Sequence, residues 1–106
     1  MKEAKEFDDC ARQLKALADP ERLRIVQCLL AGERHVSDVA QELGDDIVKV
    51  SHHLGVLRKA RLVVASKQGR FVLYALHPDV RTHSSPERIE LGCCRLDLVS
   101  HLKASR

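Results

Sequence analysis

Aromatic residues and long apolar runs are scarce in this sequence, and each absence excludes a class of protein. The 106 residues include no Trp, one Tyr and two Phe. The core must therefore be aliphatic, and the aromatic stacking platforms of proteins that bind single-stranded nucleic acid are excluded. No apolar run approaches the ~20 residues of a membrane span, so we expect no membrane partner.

Signals for secretion and for disulfide cross-linking are also scarce. Residues 1–5 lead into no apolar signal core, which predicts a cytoplasmic protein. The four cysteines are too few and too unevenly spaced for a disulfide scaffold. In a reducing cytoplasm we expect all four to be free thiols, either inert or chemically used.

The residues that are present suffice for one packed domain. Hydrophobic residues make up 44% of the chain and charged residues 31%, a balance that excludes wholesale disorder. The formal net charge of +3 permits binding to nucleic acid without demonstrating it. The sequence contains no nucleophile–base arrangement, phosphate loop or HExxH-type motif, so we expect no enzyme.

The spacing of apolar residues predicts four helices, over residues 3–18, 20–31, 36–43 and 47–60. Asp19 followed by Pro20 is a typical helix start, and it begins the second helix. Gly44 ends the third helix, and Asp46 caps the fourth.

A change of period after the fourth helix predicts a β-hairpin. Residues 62–67 and 70–76 are rich in Val, Leu, Phe and Tyr, and Gln68–Gly69 lies between them as a turn. The chain from Asp79 to Pro86 is polar and reads as a loop. Two short helices followed by a hairpin predict a winged helix-turn-helix.

The C-terminal tail carries two conflicting signals. Ile89, Leu91 and Cys93 alternate as in a strand, and a bulge near Cys94 would keep the later leucines on the same face. Residues 85–87 instead read as a helix start. We favour an extended tail.

The predicted fold class is α+β and mainly helical. A winged helix-turn-helix domain, with four helices and a two-stranded wing, occupies residues 1–78. The tail, residues 79–106, is expected to serve as a dimer contact or a sensing segment.

Three segments resemble the ArsR/SmtB family of bacterial repressors. They are LKALADPERLRI at residues 14–25, VSHHLGVLR at 50–58 and GRFVLYAL at 69–76. The second resembles that family's recognition helix and the third its wing. The resemblance implies a homodimeric repressor that releases double-stranded operator DNA when a metal ion, a metalloid or an oxidant arrives.

Five residues are candidates for DNA contacts. The outward face of the fourth helix offers the cation Lys49 and the hydrogen-bonding groups of Ser51 and His52. Lys67 and Arg70 flank the wing tip, where phosphates are expected.

Two residues at the start of the fourth helix, Ile47 and Val48, are apolar where many relatives carry polar residues. They leave little direct hydrogen-bond readout of the bases, but they suit contact with thymine methyl groups.

The adjacent thiols Cys93 and Cys94 are the candidate sensor. Thiolates are soft ligands that suit arsenic(III) or a soft metal ion, and they are also the groups that oxidants modify. Two thiols rarely complete a metal site, and Cys10 is the candidate third ligand because, in this family, the first helix meets the C-terminal segment at the dimer contact. The alternative is a metal-independent regulator with structural cysteines, which responds to a protein partner or to no small inducer.

The other known metal positions of the family are not matched. His35 and Ser37 stand where the familiar arsenic site has two cysteines, and no clear fifth helix is visible for a zinc site. A dithiol switch that uses Cys28, on the more polar side of the second helix, stays open. A surface cluster of plausible ligands follows the wing and comprises His77, Asp79 and His83.

Overall fold

The computed structural model describes residues 2–81 and 87–98. Five helices lie in these residues: α1 (Lys2–Leu17), α2 (Pro20–Leu30), α3 (Val36–Leu43), α4 (Ile47–Lys59) and α5 (Pro78–Arg81). The first four match the predicted helices to within one residue at each end. None of the helices in the described ranges has the length and apolarity needed to cross a membrane.

The helix ends follow from local chemistry, as predicted. The Asp19 carboxylate accepts hydrogen bonds from the backbone N–H groups of Glu21, at 2.8 Å, and Arg22, at 3.1 Å, which caps α2. Gly44 ends α3 with φ +67°, in the left-handed region that glycine adopts without strain. Asp46 caps α4 by accepting from the N–H of Val48.

The predicted hairpin, a two-stranded wing, is confirmed, and a third short strand extends its sheet. Strands β2 (Val63–Gln68) and β3 (Phe71–Leu76) pair antiparallel, and β1 (Arg34–His35) pairs with the other edge of β3. The sheet order is therefore β1-β3-β2. A strand of two residues has no alternation for sequence reasoning to detect.

The core is aliphatic, as the composition predicts. The inner seam of α4 contributes three side chains with no exposed surface, Val50, Leu54 and Leu57. They pack with Ile25 of α2 and with apolar residues from the other elements. This packing leaves the opposite face of α4 open to solvent.

The loop expected from Asp79 onwards begins instead as a helical turn, α5, which buries Val80. A proline at the first helical position favours this start, because its missing N–H would have no helical partner there. Residues 82–86, which include His83, lie outside the described residues.

The tail is extended, as predicted, but it folds back on itself. Strands β4 (Arg88–Glu90) and β5 (Arg95–Asp97) pair antiparallel, and Ile89 of β4 is fully buried in the core. The expected bulge near Cys94 is wrong. A turn lies there, because Gly92 takes φ +92° and the Leu91 N–H donates to the Cys94 carbonyl at 2.9 Å.

Candidate nucleic-acid interface and thiol site

The outward face of α4 presents Ser51 and His52 to solvent. Both lie opposite the buried seam, where the predicted base-contacting groups should be. Their contacts with DNA stay a prediction.

Lys49, the third candidate on α4, already has an anionic partner. Its ammonium lies 3.6 Å from the Asp45 carboxylate. A hydrogen bond from the Glu21 side chain lowers the pKa of Asp45 and raises the pKa of Glu21. Asp45 is thus held ionised beside Lys49, which reduces the positive charge that α4 offers to phosphates.

The wing tip carries the two predicted phosphate ligands. Lys67 near the end of β2 and Arg70 in the turn are both exposed. The Phe71 ring next to them is also exposed, and it lies 5.3 Å from the His35 ring between centroids. The wing therefore offers two cations and one aromatic face.

Arg22 joins the end of α1 to α4. Its Nε donates to the Ala16 carbonyl at 2.5 Å, and its Nη1 lies 3.1 Å from the His53 Nδ1. A guanidinium can only donate, so the His53 Nδ1 accepts and the ring proton lies on Nε2. His53 therefore lies at a helix junction instead of on the outward face of α4.

Three of the four cysteines meet where the tail turn packs against α1. Cys10 of α1 forms a disulfide with Cys93, with the two Cα atoms 6.2 Å apart. The Cys94 thiol lies 3.7 Å from the Cys10 sulfur and 3.9 Å from the Cys93 sulfur. We call these three residues the thiol cluster. The expectation of four free thiols is wrong for Cys10 and Cys93, because the Gly92 turn folds Cys93 onto α1.

The thiol cluster has the donor set of a soft-ion site. Its three sulfur atoms lie within 4.8 Å of one another. Two thiolates bound to one tetrahedral ion at ~2.3 Å lie ~3.8 Å apart, close to the spacings of Cys94 from its two neighbours. Residues Cys10 and Cys93 can act as ligands only after their disulfide is reduced.

A cleft of about 840 Å³ opens beside the disulfide. Its walls are polar and of mixed charge, with acidic Glu6 and Asp9, basic Arg12 and Arg61, and the imidazole of His77. It leaves the exposed Cys93 end of the disulfide open to small polar reagents from solvent, while Cys10 is buried.

The ligand cluster proposed after the wing is brought together only in part. The His77 Nδ1 accepts from the Asp79 backbone N–H at 3.1 Å and lies 3.8 Å from the Asp79 carboxylate. Both contacts are made by the Nδ1 atom of the His77 ring. His83 lies outside the described residues.

Cys28 does not belong to the thiol cluster, and its surroundings are different. It is buried, which corrects its expected place on a polar side of α2, and its thiol donates to the Glu42 carboxylate at 3.2 Å. Burial raises the pKa of the Cys28 thiol, Arg34 opposes that shift, and Glu42 adds to it. Cys28 therefore stays a protonated thiol.

Three supporting residues escaped sequence reasoning. Asp45 precedes Lys49 by four positions, the spacing at which opposite charges pair along a helix, although Asp45 itself lies just before α4. Arg22 and Glu42 reach partners on other elements, and no local pattern signals such contacts.

Comparison with known proteins identifies the family. The sequence profile described as "Bacterial regulatory protein, arsR family" matches residues 19–64. The regulator NmtR of Mycobacterium tuberculosis is 43% identical over 67 residues, which are 63% of this chain and 56% of NmtR. The chain thus spans little more than half the length of this curated relative.

Two further relatives are covered more fully. The transcriptional repressor SdpR of Bacillus subtilis is 32% identical over 66 residues, 62% of this chain and 73% of SdpR. A homodimeric winged helix-turn-helix DNA-binding domain from Mycobacterium bovis superposes with a TM-score of 0.70 at 32% identity, covering 76% of this chain and 74% of that domain. The chain therefore belongs to the arsR family of bacterial regulatory proteins, which are winged helix-turn-helix transcriptional regulators and not enzymes.

Proposed function

We propose that this chain is a homodimeric transcriptional repressor that releases operator DNA when a thiol-directed inducer acts at the thiol cluster. The observation that carries the proposal is the meeting of Cys10 on α1 with Cys93 and Cys94 on the tail turn. Family membership supports the DNA-binding part, and the description of SdpR as a repressor supports the sign of regulation.

DNA binding is assigned to α4 and the wing. A major groove accommodates one α-helix, and the exposed Ser51 and His52 can exchange hydrogen bonds with base edges there. Lys67 and Arg70 at the wing tip supply charge for phosphate contacts, which add affinity but no sequence information.

Dimerisation is assigned to α1. Phe7 is 67% exposed and Leu14 is 38% exposed, seven residues apart on one side of the helix. Apolar groups this large favour cover by another surface. The Mycobacterium bovis domain is described as homodimeric, and a two-fold dimer presents two copies of α4 to two half-sites about one DNA turn, ~34 Å, apart.

An oxidant is one candidate inducer. The thiols of Cys10 and Cys93 together lose two protons and two electrons to hydrogen peroxide, which yields the disulfide and two water molecules. The polar cleft beside the pair gives such a reagent access from solvent.

A soft ion is the other candidate inducer. In the reduced protein Cys10, Cys93 and Cys94 would hold arsenic(III), copper(I), cadmium or zinc through thiolate sulfur. Because each thiol must lose its proton to bind, ion affinity rises with pH. The same sulfur atoms serve both chemistries, so the disulfide excludes the ion.

Either event acts on α1, which carries the proposed dimer contact. The disulfide fastens the tail turn to α1, and Arg22 connects the end of α1 to His53 of α4. A change at α1 therefore alters the spacing of the two α4 helices. A typical coupling of ~1–3 kcal/mol between two sites suffices to release DNA several-fold.

Operator binding with and without inducer tests the proposal. A duplex is selected from a random-sequence pool, and its Kd is measured for reduced protein, for peroxide-oxidised protein and with arsenite, zinc, cadmium or copper(I). We expect at least one treatment to weaken binding roughly 5–150-fold.

Two variants locate the response. Cys93→Ser with Cys94→Ser should bind DNA and fail to respond, while Cys28→Ser should respond as the wild type does. A double variant that releases DNA at the wild-type inducer concentration would instead support a regulator with structural cysteines, which answers to a protein partner or to no small inducer.

A further inference from the structure

Two exposed apolar side chains lie together on the first turn of α4. Ile47 is 44% exposed and Val48 is 69% exposed. They are not part of the core, which α4 packs with the fully buried residues of the seam that begins at Val50. Exposing two neighbouring aliphatic side chains to water costs solvation free energy, which contact with another apolar surface would recover.

Their place on the helix points to DNA. Side chains three and four residues apart share a helix face, and Ser51 and His52 follow Val48 by those intervals. Ile47 precedes Ser51 by four. Val48 therefore continues the outward face of α4 towards its N-terminus, and Ile47, which also precedes the buried Val50 by three, lies at the border between that face and the seam. N-terminal residues of a recognition helix are the ones that contact base edges.

The polar groups of the same turn are already engaged. The backbone N–H of Val48 donates to the Asp46 carboxylate, and the Lys49 ammonium lies 3.6 Å from Asp45. What this turn offers outward is therefore mainly hydrocarbon from Ile47 and Val48.

We infer that Ile47 and Val48 form an apolar surface that selects thymine in each operator half-site by contact with its C5 methyl group. The thymine methyl is the only methyl group that the four standard base pairs present in the major groove. The inference rests on the proposed DNA-binding function and extends it, because it names the chemical group that is read. A 5-methylcytosine carries a methyl at the same position and should be accepted in place of that thymine.

The test removes the methyl group and nothing else. Each thymine of the selected duplex is replaced in turn by deoxyuridine, and Kd is measured by fluorescence anisotropy with reduced protein. At the contacted position we expect about fourfold weaker binding per half-site, which corresponds to ~0.8 kcal/mol for one buried methyl group. Deoxyuridine in the flanking sequence is the matched control, and 5-bromodeoxyuridine, whose bromine has nearly the size of a methyl group, should restore binding.

Variants assign the effect to the apolar pair. Ile47→Ser with Val48→Ser removes both aliphatic side chains at exposed sites, so the fold should persist, as circular dichroism will verify. In this variant thymine and deoxyuridine duplexes should bind almost equally. Ser51→Ala, by contrast, should weaken binding to both duplexes and keep the difference between them.

The outcomes separate the two proposals. If no duplex is preferred over random DNA, the proposed function fails and the inference fails with it. If a specific duplex binds but no deoxyuridine substitution weakens it, or the double variant Ile47→Ser with Val48→Ser keeps the full methyl effect, only the inference is overturned. Ile47 and Val48 would then face another protein surface.

Discussion

Cys10 and Cys28 have the same exposure, 7%, yet their surroundings give them opposite chemistry. Both lie on helices and both side chains are almost inaccessible. Cys28 lies in the aliphatic core beside the Glu42 carboxylate and the Arg34 guanidinium, and burial keeps it protonated. Cys10 meets two other sulfur atoms on the tail turn, and it is bonded to one of them.

The comparison teaches that burial alone does not decide what a thiol does. Desolvation raises a thiol pKa wherever it occurs, and at Cys28 the Glu42 carboxylate reinforces that shift. At Cys10 the decisive contact is a second sulfur from a segment 83 residues further along the chain. What makes Cys10 a candidate sensor is the second sulfur atom within bonding distance, not its burial.

Breaking the Cys10–Cys93 bond should have the largest effect on stability. The bond joins residues 83 positions apart, and closing so long a loop restricts the unfolded chain. Reduction should lower the free energy of unfolding by about 2–4 kcal/mol, a typical contribution of a disulfide. Urea denaturation of oxidised and reduced protein at one protein concentration measures the difference.

Cys28→Ser is the control for that experiment, because it removes the other buried thiol and leaves the disulfide. Reduction should destabilise this variant as much as the wild type, whereas Cys10→Ser should show no effect of reduction. Equal unfolding curves for oxidised and reduced wild type would mean that the bond contributes nothing to the fold.

Cys94→Ser should show whether the inducer is an oxidant or an ion. An effective inducer should raise the Kd for DNA roughly 5–150-fold, equivalent to ~1–3 kcal/mol. The disulfide needs only Cys10 and Cys93, so peroxide should still release DNA from this variant. Three sulfur ligands need Cys94, so arsenite or cadmium should lose its effect. Kd with and without each inducer measures both responses.

That experiment also has an outcome against the thiol cluster. If Cys94→Ser retains full responses to peroxide and to every ion, Cys94 takes no part in sensing. If Cys28→Ser loses a response, the sensor includes α2, and the contrast between the two buried thiols fails.

Alkylation should display the contrast directly. In reduced protein the exposed Cys93 should react with iodoacetamide much faster than Cys28, which is buried and has a raised pKa. Mass spectrometry of digested protein gives the rate at each cysteine. If Cys28 in folded protein is labelled as fast as Cys93, then Cys28 is neither buried nor protected by a raised pKa.

The fold was predictable where its causes are local. Asp19, Gly44 and Asp46 mark helix ends by chemistry that a few neighbouring residues decide. The wing is predictable from two runs rich in Val, Leu, Phe and Tyr around a Gly turn. By contrast β1 has two residues and exists only because β3 offers it an edge.

The site was predictable by residue type but not by geometry. The resemblance to a family suggested that Cys10 lies near Cys93 and Cys94, without indicating a bond between two of them. The alternation of apolar residues predicts a bulge where the chain reverses at Gly92, because a bulge and a reversal both keep apolar residues on one face. Burial of Cys28 depends on α3, from which Glu42 contacts it, and no pattern within α2 could reveal that.

Glu42→Gln should give the smallest change in the free energy of unfolding, and it tests how Glu42 affects the pKa of Cys28. The amide can still accept a hydrogen bond from the thiol, so the free energy of unfolding near neutral pH should fall by less than about 1.5 kcal/mol. The folded-state pKa of Cys28 is raised above its ordinary value of 9.0, mainly by burial and in part by Glu42. Its contribution to stability is therefore fully present below that value and is lost as pH rises through the raised pKa.

The substitution removes the carboxylate, which lowers the raised pKa of Cys28 towards its ordinary value. Less stability is then lost at alkaline pH, so the wild type and Glu42→Gln should converge as pH rises above 9.0. Cys94 and the disulfide are the same in both proteins, so they do not contribute to the difference. Urea denaturation between neutral and alkaline pH measures it. Parallel stability curves would show that Glu42 does not control the Cys28 proton, and burial alone would then account for the raised pKa.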